Sequence, residues 1–145
     1  MFSTGDIVGC YAPTVGYRKY HLCVFGPVGE RAGWFLFINS ENNYETDFVL
    51  KNEDLDCIPK NDTGLSVISC SSIVRLSVRH LELYKAERLG SLAKEHAAAL
   101  VEVIKGSKAL TNPEKKACVE SLSSLLYQPL KALTLLTAIP KSGRM

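Results

Sequence analysis

Five polar residues between positions 17 and 21 form the densest group of chemically versatile side chains: Tyr17, Arg18, Lys19, Tyr20 and His21. This combination suits a phosphodiester, because arginine binds phosphate through two hydrogen bonds, lysine adds a point charge and histidine transfers protons near neutral pH. Tyrosine rings stack on nucleic-acid bases. The group therefore indicates binding or chemistry at a phosphate.

A second polar pair, Asn39 and Ser40, ends the apolar run at residues 34–38. The Gly- and Pro-containing loop at 26–33 predicts that the strands on either side of it pair antiparallel. The start of one strand and the end of the other then meet in a shared cleft. There the Ser40 hydroxyl can hydrogen-bond a phosphate that Lys19 attracts.

Each of these residues also has a purely structural interpretation. Arg18 and Lys19 are typical of a charged strand edge that discourages aggregation. His21 alternates in phase with apolar neighbours, as a buried, hydrogen-bonded histidine does, and Ser40 is typical of a turn. Aromatic residues at 34–37 favour a core position over an RNA-binding face. A shift of one residue in strand register reverses which side chains face the cleft.

The chain lacks the motifs of several common enzyme classes. It contains no G-x-x-x-x-G-K-[ST], G-x-G-x-x-G, H-E-x-x-H or G-x-S-x-G pattern. The usual sequence motifs of nucleotide-dependent transferases, zinc hydrolases and α/β-hydrolases are therefore missing. Its five cysteines include no C-x-x-C pair, and we expect reduced thiols, most of them buried, with no metal or disulfide. The odd cysteine count, the lack of a readable signal peptide and the lack of a membrane-spanning apolar run favour a cytoplasmic protein.

Charge is distributed unevenly along the 145 residues. Residues 1–80 carry seven Lys/Arg and nine Asp/Glu, a net charge of −2, whereas residues 81–145 carry ten and six, a net charge of +4. Residues 41–62 alone hold seven acids and two lysines. A protein that neutralises many phosphates needs a broader basic surface, so we expect any nucleic-acid binding at a local site.

The elements that must position these side chains change from β to α along the chain. Short apolar or alternating runs bounded by Gly and Pro predict strands at 6–12, 20–25, 34–39, 47–50, 65–69, 72–77 and 79–84. From residue 91 the apolar spacing becomes helical. Ser91 is the predicted N-cap of a helix over residues 92–105.

Two further helical stretches are predicted after residue 110. The second helix begins either with a capping box formed by Thr111 and Glu114 or with Asn112 as its cap, and it runs to about residue 127. Pro129 opens a third, short amphipathic stretch that Pro140 closes. Strands followed by helices indicate an α+β fold, a small curled antiparallel barrel with helices packed on it.

Five short sequence features follow one another in an order that has a parallel in a known family. Gly5-Asp6-Ile7-Val8 opens the chain, Lys19 begins an apolar strand and Ser40 ends the next one. Ser71-Ser72-Ile73-Val74-Arg75-Leu76 and Glu87-Arg88-Leu89-Gly90-Ser91-Leu92 follow. The order over roughly residues 4–105 resembles the MazF/PemK family of toxin endoribonucleases. There the strand begins with a catalytic Arg followed by Pro, the next strand ends in a catalytic Thr or Ser, and the later motif reads Asp-Ser-Val-Val-Arg-Leu.

The chain departs from the family pattern at three places. Lys19 replaces the catalytic Arg and no Pro follows it, Ser71-Ser72 replaces Asp-Ser, and about forty helical residues are added at the C-terminus.

The resemblance implies an SH3-like barrel of the MazF/CcdB type with its packed helix over residues 1–106, extended by C-terminal helices of the same domain over residues 107–145. It implies a cytoplasmic homodimer that cleaves single-stranded RNA without a metal or other cofactor, by attack of the ribose 2′-OH on the adjacent phosphate. An antitoxin-like protein would neutralise it, and no membrane partner is expected. The implied catalytic residues are Lys19, Ser40 and His21, and the implied substrate-binding residues are Arg18, Tyr17, Tyr20, Asn39 and Ser72.

Two alternatives remain open from the sequence. The chain can instead be a catalytically inactive barrel that binds a protein or a nucleic acid, as the missing Arg-Pro and the acidic 41–62 segment suggest. Residues 113–140 can form an oligomer or antitoxin interface, because a small barrel leaves some of their leucines uncovered. This interface is compatible with either function.

Overall fold

Strand-forming apolar runs fold into one curled, antiparallel half-barrel in a computed structural model that describes residues 1–42 and 44–138. The strands are β1 (Asp6–Ala12), β2 (Tyr17–Phe25), β3 (Gly33–Asn39), β4 (Phe48–Lys51), β5 (Leu65–Ile68), β6 (Val74–Leu76) and β7 (Glu87–Ser91). The helices are α1 (Val78–Leu83), α2 (Lys94–Lys105) and α3 (Asn112–Ala138), with a short 3-10 helix at Asn52–Leu55. The predicted α+β class and antiparallel sheet are confirmed.

The strand order is β4-β5-β3-β2-β1-β7. Strand β5 pairs with residues 38–39 at the end of β3, and β6 pairs with residues 33–35 at its start. Successive side chains alternate between the two faces of each strand. One face, which includes Leu22 and Leu36, forms the main core with α2 and α3. The opposite face, which includes Cys23 and Phe35, forms a smaller core with Leu81 of α1. Both faces of the central strands are therefore covered.

The long helix α3 belongs to the main core, where Cys118 and Leu122 are fully buried. Its start is the predicted capping box, because Glu114 N donates to Thr111 Oγ1 at 3.2 Å and Thr111 N donates to Glu114 Oε1 at 2.9 Å. Ser121 Oγ also donates to the Val24 carbonyl of β2 at 2.6 Å. These contacts attach α3 directly to the central sheet.

The strand predicted at 79–84 is wrong, because this segment is helix α1. Ser77 caps this helix by accepting a hydrogen bond from His80 N at 3.1 Å, which favours helix over an extended chain. The predicted N-cap role of Ser91 is also wrong. Ser91 ends strand β7 opposite Asp6 of β1, and Ala93 takes the N-cap position of α2 without a side-chain hydrogen bond.

The predicted break at Pro129 is not observed, because α3 continues as one helix to Ala138. Pro140, the predicted end of a third helix, lies outside the described residues. Within the part of the chain that the structure describes, no helix is long and apolar enough to cross a membrane.

Candidate functional site

The pairing of β2 with β3 sets the geometry of the candidate site. Tyr20 lies opposite Ile38, so Lys19 comes beside Asn39 on the neighbouring strand. Lys19 Nζ donates a hydrogen bond to Asn39 Oδ1. A cleft of about 300 Å³, here called the Lys19 cleft, opens at this end of the sheet. Its lining comprises Tyr17, Arg18, Lys19, Tyr20, Ile38, Asn39, Ser40, Ile58, Pro59, Lys60, Asn61 and Ser66.

Six of the eight predicted site residues therefore line one cleft: Tyr17, Arg18, Lys19, Tyr20, Asn39 and Ser40. The other two, His21 and Ser72, do not line it. Ser72 is an exposed residue two positions before β6. The hairpin that brings the six together was predictable, because it depends on a short loop and on local alternation.

Lys19 is the central cation of the cleft. Burial lowers the pKa of its ammonium group below the ordinary value of 10.5, because desolvation disfavours the charged form. Its Nζ lies 5.0 Å from the ring centroid of Phe37 and 6.0 Å from that of Tyr17, which are distances for cation–π attraction. The Asn39 amide and these rings hold the ammonium group at the rim of the cleft.

Arg18 points to the opposite face of β2 from Lys19, as strand alternation requires. Its guanidinium forms a salt bridge with Glu87 of β7 and crosses over Gly9 of β1. A Cβ at position 9 would come within 2.2 Å of Arg18 Nη2. Glycine at position 9 therefore leaves space for the guanidinium, and Glu87 partly neutralises its charge.

Ser40 immediately follows β3 and is exposed. Its carbonyl oxygen accepts a hydrogen bond from Thr63 Oγ1. This bond joins the end of β3 to the loop between the 3-10 helix and β5. The exposed hydroxyl of Ser40 is therefore held beside that loop.

The same loop contributes Lys60 and Asn61, two cleft residues that the sequence interpretation missed. The Asn61 side chain donates to the Leu65 carbonyl at 2.7 Å and accepts from Gly64 N at 2.9 Å. Asn61 N donates to Oδ1 of the buried Asn52 at 3.1 Å. The Asn-Asp-Thr-Gly stretch at 61–64 is a turn signal, but only the folded chain shows that it places Lys60 beside Ser40.

The charge of the Lys19 cleft differs from that of the segment beside it. Residues 41–62 carry a net charge of −5, yet the cleft lining holds Arg18, Lys19 and Lys60 and, among the described residues, no carboxylate. The acidic side chains of the segment therefore lie outside the cleft. This arrangement favours an anionic ligand.

His21 lies on the same face of β2 as Lys19 but is only 1% exposed. Its ring centroid lies 5.1 Å from that of Phe37, and Lys19 Nζ lies 5.0 Å from the same Phe37 centroid. Burial, with smaller contributions from the charges of Lys19 and His80, lowers the pKa of His21 from 6.5 to about 4. The imidazole is therefore neutral at pH 7 and faces a separate cavity.

The cysteines match the expectation of free thiols, and all but the half-buried Cys57 are buried. Burial raises the pKa values of Cys23 and Cys70 to about 12, so neither is a thiolate nucleophile at neutral pH. Over residues 1–42 and 44–138, no group of three or more His, Cys, Asp or Glu side chains is arranged to hold a metal ion.

Comparison with known proteins adds no relative to this picture. Neither the family models nor the curated proteins contain a match to the chain. The resemblance to the MazF/PemK family therefore rests on the motif residues alone and remains a prediction.

Proposed function

We propose that the chain is an endoribonuclease that cleaves single-stranded RNA at the Lys19 cleft without a metal ion. The observation that carries the proposal is the meeting of Lys19, Asn39 and Ser40 in one cleft whose described lining is cationic and free of carboxylates. A phosphodiester is the ligand that fits this lining, because ammonium, guanidinium and hydroxyl groups all donate hydrogen bonds to phosphate oxygens.

The proposed reaction is an internal transesterification. The ribose 2′-oxygen attacks the adjacent phosphorus, its proton passes to solvent, and the bond from phosphorus to the 5′-oxygen breaks. Lys19 stabilises the extra negative charge on the phosphoryl oxygens and gives a proton to the leaving 5′-oxygen. It then regains a proton from solvent. The products are a 2′,3′-cyclic phosphate and a 5′-hydroxyl.

The remaining cleft residues bind and orient the RNA in this proposal. Asn39 fixes the ammonium group of Lys19, and Ser40 donates its hydroxyl to a phosphate oxygen. Lys60 attracts a flanking phosphate, whereas the Arg18 guanidinium is paired with Glu87 of β7. Tyr17, which is 58% exposed, offers a ring on which an unpaired base stacks, and this favours a single strand over a duplex.

The proposal includes the fold and partners that the sequence resemblance implies. The half-barrel would belong to the SH3-like, MazF/CcdB type, and the chain would act as a cytoplasmic homodimer that an antitoxin-like protein neutralises. Support comes from the curled antiparallel sheet and from the motif order. The proposal does not use His21 as the general base, because its side chain is 1% exposed and faces a different cavity.

Incubation of the purified protein with a long single-stranded RNA in EDTA tests the proposal. We expect fragments with 2′,3′-cyclic phosphate ends from the natural protein and their loss in Lys19→Gln and Ser40→Ala. Lys108→Gln, which changes an exposed lysine outside the Lys19 cleft, is the matched control and should cleave normally. Equal cleavage by all four preparations would indicate a contaminating nuclease and contradict the proposal. Stoichiometric RNA binding without fragments would favour the inactive binding module.

A further inference from the structure

A cavity of about 240 Å³ lies on the smaller-core face of the sheet and is distinct from the Lys19 cleft. We call it the His21 cavity. His21 and Phe37 line it from the sheet, Thr14 from the β1–β2 turn, Arg75 from β6 and His80 from α1. Four separate parts of the fold therefore enclose one space, which is large enough for a single aromatic ring system.

The lining of the His21 cavity combines apolar and aromatic side chains, such as Leu76 and Phe37, with a few polar ones. His21 is neutral at pH 7 because burial lowers its pKa to about 4. Arg75 forms a salt bridge with Glu114 at 3.2 Å, and its guanidinium lies 4.8 Å from the ring centroid of Trp34. No carboxylate occurs in the lining that the structure describes. The Arg75 charge is thus paired with Glu114, and the remaining aromatic and apolar lining suits a planar ring better than a phosphate.

The His21 cavity also has the surfaces that planar rings prefer. The His21 and Phe37 rings lie 5.1 Å apart at the cavity wall. The ring of His80, which also lines the cavity, lies 4.7 Å from that of Tyr84, and the Tyr84 ring lies 5.4 Å from that of the lining residue Tyr11. His21 Nδ1 is buried and has no hydrogen-bond partner within the described residues, so the site holds an unused polar group beside stacking surfaces.

The position of the cavity relative to the Lys19 cleft points to one kind of ligand. Phe37 lines the His21 cavity, and its ring centroid lies 5.1 Å from that of His21 and 5.0 Å from Lys19 Nζ, the central cation of the cleft. In a nucleotide, one ribose separates the charged phosphate from the neutral, planar base. A phosphate at Lys19 therefore places a base of the same strand within reach of the His21 cavity.

We propose that the His21 cavity binds one unpaired nucleobase of the RNA strand whose phosphate occupies the Lys19 cleft. This inference rests on the proposed RNA-cleaving function and adds a base-recognition site to it. A base held beside Phe37 and His21 fixes which phosphate reaches Lys19. The cavity thus makes cleavage dependent on the base at one position.

Short RNAs that carry a single abasic ribose at successive positions test the inference. Base–aromatic stacking contributes about 1–3 kcal/mol, which corresponds to roughly a 5- to 150-fold change in affinity. At one position along the strand, the abasic ribose replaces the base that enters the cavity. We expect binding to weaken by this factor at that position only. Affinity is measured with the natural protein on the 2′-deoxy form of each strand, which lacks the attacking hydroxyl, and cleavage rates are measured on the RNA itself.

Two tryptophan variants of the β1–β2 turn separate a base site from a general loss of RNA binding. Thr14→Trp fills the cavity from an exposed turn position, whereas Val15→Trp changes a neighbouring residue, 42% exposed, that does not line the cavity. We expect Thr14→Trp to weaken the binding of intact RNA and to abolish the loss of affinity caused by the abasic site. Val15→Trp should bind both RNAs as the natural protein does. Thermal unfolding of both variants verifies that they fold.

The outcomes distinguish the two proposals. Cleavage that is equally fast at every abasic position, or an abasic penalty that persists in Thr14→Trp, overturns the base site and leaves the ribonuclease intact. A position-specific penalty in binding without cleavage by the natural protein supports the base site and overturns the ribonuclease. An absence of RNA binding overturns both.

Discussion

The Lys19 cleft and the His21 cavity differ in charge, although Lys19 and His21 lie on the same face of β2 and only two positions apart. Burial lowers the pKa of both side chains. The ordinary pKa is 10.5 for the lysine and 6.5 for the histidine, and Lys19 is half-buried whereas His21 is only 1% exposed. Residue type and burial together therefore give an ammonium group that donates to Asn39 in one site and a neutral ring in the other.

The comparison shows how one short strand can supply two kinds of recognition. The Phe37 ring lies about as near to Lys19 as to His21, with centroid distances of 5.0 Å to Lys19 Nζ and 5.1 Å to the His21 ring. On our proposals, the cationic part binds phosphate and carries out the chemistry, and the neutral part binds a base. Variants that exchange or remove these properties therefore test the division directly.

The largest expected effect concerns the rate of RNA cleavage. Lys19→Gln removes the charge that stabilises the transition state, and loss of one such donor typically costs about 10²–10³-fold in kcat. His21→Phe keeps an aromatic ring in the cavity, and we expect kcat to change by less than about tenfold because His21 does not line the Lys19 cleft. Single-turnover cleavage measured for both variants checks this prediction.

A loss in His21→Phe as large as in Lys19→Gln would contradict the division of roles. Removal of a general base costs about 10²–10⁴-fold, so that result would identify His21 as the proton acceptor for the 2′-OH. Substrate concentration must be saturating, because a lost base contact raises KM without lowering kcat.

The next effect concerns the contribution of His21 to the pH dependence of stability. A histidine with a pKa of 6.5 in the unfolded chain and about 4 in the folded protein binds protons more readily when unfolded, so it destabilises the fold as the pH falls from 6.5 towards 4. We expect this to lower the free energy of unfolding by about 3 kcal/mol between pH 7.5 and pH 4. His21→Phe removes that part of the pH dependence, as urea unfolding at the two pH values would show. An unchanged dependence in the variant would mean that other groups cause it.

A smaller effect is expected in the alkaline part of the cleavage profile. Lys19 must be protonated to donate to the leaving oxygen, so the rate falls by about tenfold per pH unit above its pKa. Because burial lowers that pKa below 10.5, the fall begins at a lower pH than for an exposed lysine. Lys19→Arg stays charged throughout, and the alkaline fall should disappear. A fall at the same pH in Lys19→Arg would assign it to another group.

Much of the Lys19 cleft was predictable because it depends on a hairpin. The 26–33 loop and the alternation on both sides of it determine the β2–β3 pairing, and they bring Lys19 and Asn39 together within 21 residues. The sequence also identified the α+β class and the capping box of α3. These features depend on short-range signals such as turn residues, caps and alternation.

The features that escaped prediction depend on contacts between distant parts of the chain. Strand β7 has few β-forming residues, and it is a strand because it pairs with β1, where Arg88 Nε donates to Asp6 Oδ1 at 2.9 Å. Lys60 reaches the cleft through a loop that joins β3 through Thr63. The His21 cavity needs the sheet, β6 and α1 together. Tertiary packing determines these three features, and local sequence propensity does not predict tertiary packing.

The smallest expected effect concerns the salt dependence of RNA binding, which tests the cationic lining of the Lys19 cleft. Lys60 lines the Lys19 cleft from the loop that Asn61 anchors. If it contacts one phosphate, Lys60→Gln should reduce the slope of log K against log salt by about 0.7, the value for one contact with a single strand. Lys108→Gln, the exposed lysine outside the cleft, should leave the slope unchanged. An equal reduction in both variants would mean that RNA binding depends only on the overall charge of the protein. An unchanged slope in Lys60→Gln would show that Lys60 does not contact a phosphate.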